Sequence, residues 1–244
     1  EFIYRQAFEV GRHIIGYEVQ KILAAVDLLD QHAGRQAAEA GGEPMPIGVA
    51  GVGEGGLLAL YSAAIDPRIQ SCWVSGYFQQ REEVWREPIY RNVWGLLTEF
   101  GDAELAGMIA PRRLVIEACR AVEVAGPPTA RQGRRNVAAP GRITTDRLIS
   151  GRAEFERAAA IYGQAGGRAE IVLAVSGENG GGPAGTGAAL RAFASGLRLD
   201  GELDRKPEPW QPESMQDDEP RTALRDAAAR EKRQFDELQN HVQG

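Results

Sequence analysis

The chain is poor in the residues that carry most acyl-transfer and metal chemistry. Only three of its 244 residues are histidine, His13, His32 and His241, so an imidazole can serve few positions. There are two cysteines, Cys72 and Cys119, and their spacing does not fit a zinc site. Both fall in or beside predicted buried strands, where buried thiols or one disulfide are the two readings. Lys and Arg total 28 against 34 Asp and Glu, a net charge of -6. No basic stripe interleaved with aromatics is present, which argues against nucleic acid as a partner. No apolar run reaches the roughly 18 residues that a membrane-spanning helix needs. The chain opens at Glu1 inside a helical pattern, without a charged-then-apolar leader. A longer N-terminal part is therefore expected, and localisation is not readable from this segment.

What is present fits one medium domain with its own core, 43% hydrophobic and 25% charged. Residues 2–32 read as helix, with Val19, Ile22, Leu23, Val26 and Leu29 in one stripe. A break is expected between Gly11 and Gly16, and a stop at Gly34. Short apolar runs at 46–50, 69–77, 114–116 and 171–175 predict strands. Helices are predicted at 57–64, from Asp102 as N-cap to before Pro111, at 145–162 and at 188–197. Alternating strands and helices imply an α/β fold, a parallel sheet with helices on both faces. Residues 200–220 turn to Pro, Glu and Asp and read as a linker, and 221–244 as an amphipathic helix with Leu224, Ala228, Phe235, Leu238 and Val242 along its seam.

The sharpest local signal is a strand, a glycine-rich turn and a helix over Gly48-Val49-Ala50-Gly51-Val52-Gly53-Glu54-Gly55-Gly56. This has the form of a nucleophile elbow, in which glycines let the chain turn so sharply that the central side chain points at substrate. Aligning the glycines puts Gly53 at the nucleophile position, which is then empty. A phosphate-binding turn is the other reading, but the turn has no lysine and no acidic partner at dinucleotide spacing. No cofactor motif and no metal-ligand spacing is found.

With Tyr17 to Leu29 before it, the Val74-Ser75-Gly76-Tyr77-Phe78 run and the Ile109 to Glu117 run after it, this stretch resembles the bacterial acetylxylan-esterase-like and dienelactone-hydrolase-like α/β-hydrolases. The resemblance covers roughly residues 8–198. It implies a partial α/β-hydrolase domain over 1–199 that lacks its N-terminal strands. It also implies a carbohydrate-esterase ancestry, with an extracytoplasmic location suspected. In that family a Ser fills the elbow, an acid follows a later strand and a His follows the last strand. Here the acid would fall near Glu123 and the His within Ser176-Gly177-Glu178-Asn179-Gly180-Gly181, where no His stands.

The expected function is thus a catalytically degenerate domain, a scaffold or carbohydrate-binding part of a larger protein. Its partners would be a polysaccharide or acylated sugar, and the remainder of the polypeptide or a second hydrolase domain. The alternative is an active carbohydrate esterase or hydrolase using Glu54, Glu123 and Glu178, all on loops at the carboxyl edge of the sheet. These three could also hold a hard cation, or be ordinary loop glutamates. Of two possible substitute nucleophiles, Ser62 reads as a packing residue, and Ser75 ends a strand where it could face the cleft but has no visible base. Trp73, Tyr77, Phe78, Trp85, Tyr90 and Trp94 could stack on sugar rings or fill core and lid. Arg131, Arg134 and Arg135 are expected to face solvent.

Overall fold

The computed structural model describes residues 2–127, 141–145, 148–167, 170–199 and 227–243. It divides into two compact units, Glu1–Gly201 and Glu202–Gly244. The expected linker at 200–220 and the three arginines at 131, 134 and 135 lie outside the described residues.

In the first unit, α1 (Phe2–Glu9) and α2 (Ile14–Ala40) precede β1 (Ile47–Val52). Then come α3 (Glu54–Ile65), β2 (Ile69–Ser75), α4 (Asp102–Ile109) and β3 (Arg113–Ala118). The unit closes with α5 (Leu148–Gln164), β4 (Ile171–Val175) and α6 (Gly187–Gly196). The four strands pair in parallel in the order β1-β2-β3-β4. Because the order runs one way across the sheet, right-handed crossovers place the connecting helices α3, α4 and α5 on the same face. The core follows this. Cys72, Val74, Leu114 and Ile116 point into one cluster with Leu57, Leu60, Ile109, Phe155 and Tyr162. Their strand neighbours Trp73, Val115 and Ala174 point the other way, against Ala189 and Phe193 of α6. The period of two along each strand thus feeds helices on both faces.

Two sequence expectations need correction. Gly34 does not stop α2, which runs to Ala40 and ends on Gly41 in the left-handed conformation. One helical glycine costs only about 1 kcal/mol, and the Arg-Gln-Ala-Ala-Glu-Ala run after it favours helix enough to carry through. The break before α2 lies at Gly11, and His13 caps the new helix by accepting from the Ile15 N–H. Asp102 is not an N-cap; Gly101 holds that position, and Asp102 is the first helical residue, fully buried.

Cys72 and Cys119 are both buried and are not joined in a disulfide. In the second unit, α7 (Ala227–Gln243) forms, and Ala228 and Phe235 of its seam are exposed. Among the described residues no helix is long and apolar enough to cross a membrane.

Candidate functional site

The carboxyl edge of the sheet is built around the turn between β1 and α3. Gly53 has φ 57 and ψ -116, a conformation that L side chains rarely adopt. Its N–H donates to the Ser75 carbonyl at 2.8 Å, pinning the turn to the end of β2. A Cβ added to Gly53 would meet nothing within 4 Å, so the apex has room for a side chain and lacks one. Gly51 is different: a Cβ there would run into the Gly55 carbonyl. Gly51→Ala should therefore open the turn and lower stability by about 3 kcal/mol, the upper range for overpacking, as read by urea unfolding. A loss below about 1 kcal/mol would mean that the turn relaxes freely.

Glu54, beside the apex at the positive end of α3, is tied down. Its carboxylate accepts from the Tyr90 hydroxyl and from the Arg91 guanidinium, at 3.1 and 3.0 Å through Nε and also through Nη2. Arg91 is buried and reaches on to Glu87 at 3.1 Å. Glu87 faces Arg81 at 3.5 Å, and Arg81 pairs with Asp102 at 2.6 Å. The Tyr77 ring lies 3.7 Å below the Arg81 guanidinium. Burial raises the Asp102 pKa, and Arg81 only partly opposes that rise. This chain of paired charges locks the segment 77–102 onto the sheet.

A second carboxylate at this edge was not anticipated. Glu117, near the end of β3, is 1% exposed. It accepts from the Ser75 hydroxyl at 2.6 Å, Gly185 N–H at 3.0 Å, Thr186 N–H at 2.8 Å and Thr186 hydroxyl at 2.7 Å. Burial pushes its pKa up, but the hydrogen bonds from Ser75, Gly185 and Thr186 outweigh it and hold the pKa below the usual carboxylate value. Its sequence signal was one acid inside the apolar run Leu114 to Cys119, where a charge must be paired to be tolerated.

The other two expected carboxylates are exposed loop residues. Glu123 is exposed and accepts from the Thr145 hydroxyl at 2.8 Å and N–H at 3.1 Å, which hold its pKa low. Glu178 is exposed and opens a short 3-10 helix, Glu178–Gly180. Among the described residues no group of three or more His, Cys, Asp or Glu is placed to hold a metal ion. Ser75 is buried, and its hydroxyl is spent on Glu117. Ser62 is fully buried in α3. His13 is buried against Tyr4 at 5.3 Å, and burial lowers its pKa.

The aromatics do not form one platform. Tyr77 and Phe78 are core, Trp73 packs on Phe193 at 5.8 Å, Trp94 on Phe8 at 5.6 Å, and Trp85 is exposed under Arg86.

Along the locked segment lies a polar cleft of about 500 Å³. One wall is the chain following β2, from Gln79 to Glu87, and the other is Arg142, Thr144 and Thr145 together with Ile149 and Ser150 at the start of α5. The first wall follows the carboxyl end of β2, the side of a parallel sheet on which ligands bind. No family model, curated protein or solved structure matches this chain.

Proposed function

We propose that the chain is a catalytically degenerate α/β-hydrolase-like domain, acting as a scaffold or carbohydrate-binding part of a larger protein. The observation that supports it is the bend at Gly53: a sharp strand-to-helix turn whose apex carries only hydrogen. An acyl carbon needs a hydroxyl or thiol there, and a base beside it. The loop after β4, Ser176 to Gly181, supplies no imidazole. The nearest carboxylate, Glu54, is held by Arg91 and Tyr90. The alternative, a hydrolase working through Glu54, Glu123 and Glu178, needs a carboxyl held up as a general acid; Thr145 holds Glu123 down.

Restoring only the hydroxyl tests this reading. Gly53→Ser has room at the apex and costs about 1–3 kcal/mol for its backbone strain. Acetate release from acetylated xylan by the variant is expected to stay at background, because a serine without a base is a weak nucleophile. Release well above background would show that a base already stands at the turn, and would overturn the degenerate reading.

A further inference from the structure

The polar cleft shares Glu87 with the chain of paired charges, but neither that chain nor the turn explains its open, polar lining. We propose that it binds an uncharged polyhydroxylated ligand, one or two sugar rings in size, an inference that rests on the carbohydrate-binding side of the reading above. Its volume of about 500 Å³ falls within the range of small-molecule sites, about 300–1,000 Å³. Its lining, however, is unlike that of a site for an apolar ligand. Of the lining residues only Ile149 has a wholly apolar side chain.

The chemistry of the wall selects the class. Gln79, Gln80 and Thr144 offer both donors and acceptors, Glu82 offers acceptors and Arg142 donors. A sugar hydroxyl donates and accepts at once, so a mixed wall suits it. Charge is nearly balanced, with Glu82, Glu83 and Glu87 against Arg86 and Arg142. A phosphate would meet the three acids, and a polycation the two arginines. Ile149, 83% exposed, gives the C–H face of a ring an apolar surface.

The cleft is also held in shape. Gln80 N–H donates to the Ser150 hydroxyl at 3.2 Å, joining the two walls. Arg142 N–H donates to the Arg86 carbonyl at 2.9 Å. Thr145 is fixed by Glu123, and Glu87 by Arg91 from behind. A preformed wall lowers the ordering cost that weakens most polar sites.

The test is titration of the full chain with xylobiose and with cellobiose, followed by calorimetry and NMR. Saturable binding is expected with at least one. Gln80→Ala and Arg142→Ala, both at exposed positions, should each weaken it about 5–10-fold, the effect of one lost hydrogen bond. Thr144→Trp should obstruct the cleft and weaken binding strongly while leaving the circular dichroism spectrum unchanged. Inorganic phosphate should not compete. No saturable response at tens of millimolar, binding that survives all three substitutions, or displacement by phosphate would each overturn the proposal. Ester hydrolysis by the chain would sink the degenerate reading and leave sugar binding standing. Failure to bind sugar would sink the cleft and leave the scaffold role.

Discussion

Asp102→Ala should lower the unfolding free energy by about 3–5 kcal/mol, because it strands the Arg81 guanidinium, 1% exposed, without its charge partner. Arg81 donates to Asp102 at 2.9 Å through Nε and 2.6 Å through Nη2, and also to the Tyr77 carbonyl. With Asp102 gone, the neighbouring acid is Glu87 at 3.5 Å, already committed to Arg91. The buried cation then lacks its closest carboxylate. In a unit of this size the melting temperature should fall by roughly 10 °C, at about 2–4 °C per kcal/mol. Replacing both partners by apolar residues of similar volume, Arg81→Met with Asp102→Leu, should recover much of the loss. An exposed control pair, Arg86 with Glu83, should change stability by less than about 1 kcal/mol on Glu83→Ala. A loss below 1 kcal/mol for Asp102→Ala would mean that the buried pair does not fix the 77–102 segment.

Glu117→Gln should cost about 2–4 kcal/mol at neutral pH. The carboxylate satisfies four donors from Ser75, Gly185 and Thr186. A carboxamide turns one acceptor into a donor and leaves donors facing donors, and each buried unsatisfied group costs about 1–3 kcal/mol. The pH dependence has a definite sign. Glu117 has a lowered pKa in the fold, so the folded state binds its proton less readily than the unfolded chain. Its contribution is complete above the unfolded value, about 4.3, and is lost as pH falls through the folded value. The gap between wild type and Glu117→Gln should therefore shrink on acidification to about pH 3. Asp102 titrates in the opposite sense, since its pKa is raised. Its charged form costs stability above the folded pKa, and that cost is relieved as pH falls. Urea unfolding of both variants at neutral and acid pH separates the two signs. A gap for Glu117→Gln that widens toward acid pH would contradict the hydrogen-bonded clasp.

What the sequence revealed was local. The strand, turn and helix around Gly53 were legible because an apolar run, five glycines from Gly48 to Gly56 and a stop at Asp66-Pro67 all fall between residues 46 and 67. The parallel sheet followed from the alternation of strand and helix patterns. The paired charges stayed hidden because their partners are distant along the chain. Arg91 meets Glu54 from 37 residues away, Asp102 meets Arg81 from 21, and Glu117 meets Thr186 from 69. Asp102 read as a cap because caps are set by neighbours, and nothing nearby advertised an arginine from the preceding loop. Ser75 ended a strand beside a glycine, which suggested an open position, until Glu117 on the adjacent strand covered it. The cleft was illegible for the same reason: its walls, joined by Gln80 to Ser150 and Arg142 to Arg86, are 70 and 56 residues apart along the chain.

Steady-state hydrolysis of p-nitrophenyl acetate by the intact chain tests the central claim most directly. The account predicts a rate no different from heat-denatured protein, linear in ester and without saturation. A saturable rate that disappears on Glu54→Gln, with the fold intact, would contradict it and make the edge around Gly53 a working active site.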